Sequence, residues 1–219
     1  MNKFLSIIAT LISLTAGASA AVVTFTGGTV HLSGGSTDTT DGTKQFGGVD
    51  FYTESGFKFD YIGGSGGSIG DYYGTGNDVI HAHWGVNEMT SIEISKVAGG
   101  AFEFNYFVLT SNTLTPGGAP TGFEDVHVQA WLNGVQVGSD VILPSEQWGF
   151  PALDVFFGTD FDNVDKVVIT STHTSFSCFG MDSFYIDQAA PVPEPSALSL
   201  LGIGLTGLVA LGRVRRQNV

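Results

Sequence analysis

Two histidines stand one residue apart at 81 and 83, in a run of mostly apolar residues at 79–84 that is typical of a β-strand. Because successive side chains point to opposite faces of a strand, His81 and His83 are expected on the same face. Two imidazoles so placed form part of a tetrahedral Zn²⁺ site when a neighbouring strand supplies a third ligand, for which His127 is the candidate. The alternative is a pair of exposed or hydrogen-bonded histidines that bind no metal.

Carboxylates supply a second set of candidate ligands. Asp160 and Asp162 lie in an acidic segment before an apolar run, and Asp182 lies near the last predicted strand. Ca²⁺ takes about six to eight oxygen ligands, so carboxylates at such positions suit it. The segment lacks the glycine and the closing glutamate of an EF-hand loop, and a solvated acidic loop is the favoured alternative. Zn²⁺ and Ca²⁺ are therefore the candidate cofactors, and no motif requires either of them.

Aromatic side chains near a glycine-rich segment form the third candidate site. Tyr72 and Tyr73 lie inside residues 63–76, half of which are glycine, and Asp78 and Trp84 follow shortly after. Exposed aromatic faces beside hydrogen-bonding side chains are suited to sugars, which stack on the rings. Packing in the core explains any one of these aromatics equally well. The glycine-rich segment lacks the basic residue of a phosphate-binding loop and is predicted to be a surface loop.

The elements that must position these residues are strands, because apolar residues alternate with polar ones through most of the chain. Asn133-Gly134, between two such runs, predicts a two-residue hairpin turn of type I′. No convincing helix pattern occurs between residues 21 and 190, so we expect one all-β domain there, a jelly-roll β-sandwich. The alternating apolar residues are Phe57, Phe59, Tyr61, Ile92, Ile94, Phe102, Phe104, Tyr106, Val108, Val126, Val128, Ala130, Leu132, Val167 and Ile169.

The whole chain has a formal net charge of −13, and the predicted domain is still more acidic. Its only basic residues are Lys44, Lys58, Lys96 and Lys166, against 20 acidic residues, so its net charge is 4 minus 20, or −16. Such a surface repels the phosphates of nucleic acid, which we exclude as a partner.

Both ends of the chain are predicted to direct its transport. Residues 1–20 have the charged start, apolar centre and small-residue cleavage site of a secretory signal peptide, which implies export through the Sec translocon. Near the other end, Pro193, Glu194 and Pro195 precede an uncharged apolar run at 196–212, and Arg213, Arg215 and Arg216 follow it. Such a run spans about 25 Å as a helix, close to a hydrocarbon core of about 30 Å. We expect a transmembrane helix there, with its arginines in the cytoplasm and the domain outside.

The order of features in residues 191–219 resembles the PEP-CTERM sorting signal of Gram-negative bacteria that produce exopolysaccharide. The resemblance implies that an exosortase recognises Pro193-Glu194-Pro195. It also implies that the inner membrane holds the protein only before processing, and that the destination is the cell surface or the extracellular matrix.

Two further resemblances concern the domain. His81-Ala82-His83-Trp84-Gly85 is similar to the zinc strand of α-carbonic anhydrases, although the rest of that catalytic pattern does not occur in the sequence. The closing Met181-Asp182-Ser183-Phe184 resembles the end of a jelly-roll ectodomain common among PEP-CTERM proteins, and galactose-binding-like modules, with Ser183 in place of the usual asparagine. We therefore predict a non-catalytic surface or matrix protein with exopolysaccharide as its candidate ligand. The alternative is a metal-dependent enzyme that uses His81 and His83.

Overall fold

A computed structural model describes residues 21–63, 67–71, 78–83, 89–113, 125–146, 152–171 and 178–186. In this part of the chain it places fourteen β-strands and one short 3₁₀ helix, Thr159–Phe161. The chain separates into two units, residues 1–189 and 190–219, and the described residues all belong to the first. The strands are β1 (Ala21–Val23), β2 (Thr29–Leu32), β3 (Thr37–Thr39), β4 (Gln45–Glu54), β5 (Phe57–Ile62), β6 (Gly67–Gly70), β7 (Val79–His83), β8 (Ser91–Lys96), β9 (Phe104–Thr113), β10 (Val126–Leu132), β11 (Val135–Ile142), β12 (Leu153–Phe156), β13 (Lys166–Ser171) and β14 (Cys178–Ile186).

Hydrogen bonds join the strands into one curled sheet, in the order β11-β10-β13-β8-β5-β4-β6-β7-β14-β9-β12. Off this path, β2 pairs with β3 and β4, and β1 pairs with β14. These pairings are all antiparallel. We call the part from β11 to β5, together with β2 and residues 51–54 of β4, the first half of the sheet, and the part from β6 to β12 the second half.

Strand β4 carries the sheet from one half to the other. Its residues 51–54 pair with β5 and its residues 45–49 pair with β6, while β2 pairs with the opposite edge at 49–53. Because β5 and β6 follow one another along the same edge of a ten-residue strand, the sheet bends there and its two halves face each other.

Apolar side chains fill the space between the halves. Phe59 of β5 meets Phe25, which follows β1, with ring centroids 5.2 Å apart and an edge-on arrangement. Phe57 meets Phe102, just before β9, at 5.4 Å. The buried residues of both halves form one continuous core, which supplies most of the driving force for folding. The predicted all-β class and jelly-roll sandwich are confirmed.

The predicted alternation is also correct in four strands of the first half. The predicted inward residues of β5, β8, β10 and β13 are buried, except Leu132, which is half-buried, and most of the residues between them are half-buried. The hairpin turn is confirmed, because Leu132 pairs with Val135 and both turn residues have positive φ, 52° at Asn133 and 76° at Gly134.

In β9 the predicted alternation is correct as far as Tyr106, which is buried like Phe102 and Phe104. Phe107 and Leu109 belong to the core, whereas Val108 is half-buried and the Tyr106 hydroxyl donates to Asp154 at 2.7 Å. The pairing of β9 with β14 shifts register in three places. Each extra residue in a bulge turns the following side chains to the other face, so the prediction for Val108 is wrong.

The glycine-rich segment contains a strand where a surface loop was predicted. Gly67–Gly70 forms β6, which is buried along its length between β4 and β7. A Cβ atom at Gly67 would overlap the Tyr61 ring, and one at Gly70 would overlap the carbonyl oxygen of Lys44. Glycine permits this close approach, and the predicted loop is wrong for these four residues.

The two ends of the chain lie outside the described residues, so the signal peptide at 1–20, the transmembrane helix at 196–212 and the limits of the domain stay predictions. In the ranges that are described, no helix has the length and apolar character needed to cross a membrane.

Candidate functional site

The first half of the sheet turns a row of mostly polar and aromatic side chains away from the core. Each member is a register partner of the next across six strands, and most are only half-buried. We call this surface, together with Trp131, Lys166 and Lys58 beside the row, the outer face. The row consists of Gln129, Val168, Glu93, Asp60, Phe51 and His31.

One end of the outer face is built around Trp131 of β10. The ammonium group of Lys166, its register partner on β13, lies 5.5 Å from the centre of the indole, within the range of a cation–π contact. Lys166 also forms an ion pair with Glu93 at 3.2 Å. The indole N–H donates to the side-chain oxygen of Gln129 at 3.3 Å. These contacts hold a large, half-buried aromatic ring among hydrogen-bonding groups on the side of β10 opposite the core.

The other end is built around Phe51 of β4. The His31 ring stacks on it, with centroids 3.9 Å apart and planes inclined by 16°. The Lys58 ammonium lies 4.5 Å from the centre of the Phe51 ring and pairs with Asp60 at 2.6 Å. This end therefore repeats the arrangement around Trp131, with an aromatic ring, a lysine over it and a carboxylate that holds the lysine.

The charges of the outer face cancel locally. Lys58 and Lys166 balance Asp60 and Glu93, and their side chains are 33–35% exposed. Two of the four lysines of the predicted domain lie on this surface. The domain as a whole has a net charge of 4 minus 20, or −16. The outer face is thus close to neutral on a strongly acidic protein.

His127 lies next to this surface, between two carboxylates. Its Nδ1 lies 3.0 Å from Asp140 and its Nε2 lies 2.9 Å from Asp125, and only the protonated ring can donate from both nitrogens. Burial by itself would lower the pKa of His127, but the hydrogen bonds to Asp140 and Asp125 outweigh it and raise that pKa above its ordinary value. Donation from Gln129, and then from His127, lowers the pKa of Asp140. His127 therefore has a complete set of partners within the first half.

The zinc ligands suggested by the sequence lie in two different halves of the sheet. His81 is completely buried on β7 and pairs in register with Ser68 and Gly180, and His83 lies on the same strand. His127 lies on β10, so the structure does not bring it to His81. Across the described ranges, no three histidine, cysteine, aspartate or glutamate side chains cluster as metal ligands do. Zinc binding by His81 and His83 stays a prediction.

The three candidate calcium ligands lie on two different elements. Asp160 is exposed in the 3₁₀ helix Thr159–Phe161, and Asp162, also exposed, ends it. Asp182 lies on β14, where its carboxylate accepts the backbone N–H of Ser183 at 2.6 Å. Calcium binding through these residues likewise stays a prediction.

Of the predicted sugar contacts, Asp78 is described, whereas Tyr72, Tyr73 and Trp84 lie outside the described residues. Asp78 is completely buried, and one of its oxygens accepts hydrogen bonds from the Thr26 hydroxyl at 2.9 Å and the Gly42 amide at 2.8 Å. Burial raises the pKa of its carboxyl, and the two hydrogen bonds only partly offset this effect. In this structure Asp78 joins two loops and presents no surface to a sugar.

Sequence analysis did not single out Phe51, His31, Lys166 or Trp131 as binding residues. A usable signal existed for Trp131, because it alternates with Ala130 and Leu132 and is therefore placed on the polar side of its strand. The stacking of His31 on Phe51 depends on the pairing of β2 with β4, which the sequence pattern does not specify.

Among solved structures, the chain is similar to a mutant of a family 29 carbohydrate-binding module, with 9% sequence identity and a TM-score of 0.41 over 80% of this chain and 99% of that one. A family 29 carbohydrate-binding module from Piromyces equi aligns with 10% identity and a TM-score of 0.40, over 79% of this chain and 94% of that one. This degree of likeness establishes no ligand and no common origin. No curated protein has significant similarity to the chain.

The C-terminal end has a match of a different kind. Residues 191–216 match the model of the PEP-CTERM protein-sorting motif. The match spans Pro193-Glu194-Pro195, the apolar run and the three arginines, all outside the described residues. A motif of this kind implies processing by an exosortase and membrane-associated sorting to the cell surface. The resemblance stated from the sequence is confirmed, and the chain carries a PEP-CTERM protein-sorting motif at residues 191–216.

Proposed function

We propose that this protein is exported, sorted by an exosortase and placed at the cell surface or in the extracellular matrix, where it binds carbohydrate without catalysis. The observation that carries the sorting part is the match of residues 191–216 to the PEP-CTERM protein-sorting motif. A signal peptide at 1–20 would direct the chain through the Sec translocon. The apolar run at 196–212 would then hold it in the inner membrane, with Arg213, Arg215 and Arg216 in the cytoplasm.

The outer face supports the carbohydrate part of the proposal. It offers Trp131 at one end and the stacked pair of Phe51 and His31 at the other, with hydrogen-bonding side chains between them. Sugars present both apolar C–H faces and hydroxyl groups, so a surface that combines aromatic rings with donors and acceptors suits them. Retention of exopolysaccharide at the cell surface is a role that such a surface would serve.

The sorting step is tested with Glu194→Ala in the full chain, expressed in its own host. Because Glu194 is the central residue of the proline-flanked motif, the variant is expected to accumulate at full length in the inner membrane. Fractionation and intact mass of the membrane and secreted pools measure this outcome. Asp187→Ala is the matched control, because it removes a carboxylate just outside the matched range. Release of Glu194→Ala at the wild-type level would contradict recognition through this motif.

A further inference from the structure

We propose that the outer face binds an uncharged polysaccharide chain that lies across the strands, with Trp131 and Phe51 as its two stacking positions. This inference rests on the carbohydrate binding proposed above and names both the site and the ligand class.

The spacing of the two aromatic positions suits a chain. Trp131 lies on β10 and Phe51 on β4, and the strands between them are β13, β8 and β5. Four steps of about 4.8 Å between neighbouring strands give a span of roughly 19 Å, the length of a short oligosaccharide. A ligand of this length touches both rings only if it runs across the strands.

The side chains between the rings provide the polar contacts. Glu93 and Asp60 are direct register partners on β8 and β5, and Lys166 and Lys58 lie beside them on the same surface. Carboxylates accept hydrogen bonds from sugar hydroxyls, and ammonium groups donate to them. Each charged side chain is about one-third exposed, so part of it is accessible to a ligand.

Both lysines are able to give way to a sugar ring. Their ammonium groups lie 4.5 Å from the Phe51 centroid and 5.5 Å from the Trp131 centroid. A cation–π contact at an exposed site contributes only about 0.5–1 kcal/mol, so the ligand displaces each ammonium from its ring at small cost. The ammonium then remains next to the ring, within reach of the sugar hydroxyls.

Charge selects the class of polysaccharide. The outer face is locally neutral, with two lysines against two carboxylates, whereas the domain as predicted has a net charge of 4 minus 20, or −16. A polyanion such as a polyuronate is repelled by the whole protein before it reaches this surface. An uncharged chain meets no such barrier.

The test measures binding of the natively purified secreted protein by affinity electrophoresis in gels that contain hydroxyethylcellulose, galactomannan, dextran or alginate. The variants are Trp131→Leu and Phe51→Leu, which keep apolar bulk but remove the flat ring. Phe156→Leu is the matched control, because Phe156 is a half-exposed aromatic residue on β12 in the second half. Melting temperatures verify that each variant is folded, and Trp131→Met, which also lacks a flat ring, replaces Trp131→Leu if the latter unfolds.

We expect the wild type to bind at least one of the three neutral polymers more tightly than alginate. Trp131→Leu should weaken that binding by about tenfold or more, Phe51→Leu by a similar factor, and Phe156→Leu by less than about twofold. Unchanged binding in both outer-face variants would overturn this site while leaving carbohydrate binding in place. A preference for alginate would overturn the ligand class. Failure of the wild type to bind any of the four polymers would overturn carbohydrate binding itself, and the site with it.

Discussion

Two rows of residues cross the sheet on sides that face away from the core, one in each half, and they differ in burial. In the first half, the row from Gln129 to His31 is mostly half-buried. In the second half, Ser68, His81, Gly180 and Ser111 are also register partners, across β6, β7, β14 and β9. All four residues of this second row are buried, and His81 and Ser111 are completely inaccessible.

The difference shows that a side chain opposite the core does not always meet solvent. Two carboxylates and two aromatic rings belong to the half-buried row, whereas two serines, a glycine and a histidine form the buried one. A buried polar group needs a hydrogen-bond partner, since an unpaired one costs about 1–3 kcal/mol. The second row is therefore expected to act in stability, and the first row is free to act in binding.

The largest expected effect is a loss of stability when a side chain is added at Gly70 of β6, the strand that contributes Ser68 to the buried row. Gly70→Ala places a Cβ against the carbonyl oxygen of Lys44, at a φ of +132° that alanine rarely adopts. We expect a loss of at least about 3 kcal/mol in the free energy of unfolding, measured by chemical denaturation. Gly47→Ala is the control on the neighbouring β4, because a Cβ there meets no atom within 4 Å. Equal losses in the two variants would show that β6 is not packed as described.

The second prediction compares the same substitution, histidine to alanine, in the two halves of the sheet. His81→Ala removes a completely buried ring and should lower the free energy of unfolding by about 2–3 kcal/mol. His127→Ala removes a ring beside the outer face and should lower it by less than about 1 kcal/mol. The wild type and His81→Ala are each denatured with and without a chelator. A loss that is the same in both conditions comes from packing, and a loss that disappears with the chelator comes from a metal bound by His81. A larger loss for His127→Ala would reverse the assignment of stability to the second half.

The smallest effect is a dependence on pH at His127. Because its pKa is raised on folding, the protonated ring stabilises the protein fully below its ordinary pKa of about 6.5, and this stabilisation is lost as the pH rises through the folded-state pKa. His127→Gln should therefore cost about 0.5 kcal/mol more at about pH 5.5 than at about pH 8.5. Urea denaturation of the wild type and the variant at both values measures the difference. A cost that is larger at high pH would show that the neutral ring is the favoured form.

Particular residues show how far the sequence predicts the site. The alternation in β10 correctly placed Val126, Val128 and Ala130 in the core, and with them it placed His127 and Trp131 on the opposite face. It failed to anticipate the ion pairs of His127 with Asp125 and Asp140, because Asp140 reaches it only across the β10–β11 hairpin. It also suggested Asp78 as a sugar contact, whereas the side chain is buried between two loops.

The sequence by itself determined the strand class, the hairpin at Asn133-Gly134 and the sorting motif at 191–216, because each depends on residues close together in the chain. The tertiary structure decided the remaining features. It made a buried strand of Gly67–Gly70, shifted the register of β9 against β14, and aligned Trp131, Glu93 and Phe51 on one surface. These features depend on which strands become neighbours, and that choice is made by packing between residues far apart in the sequence.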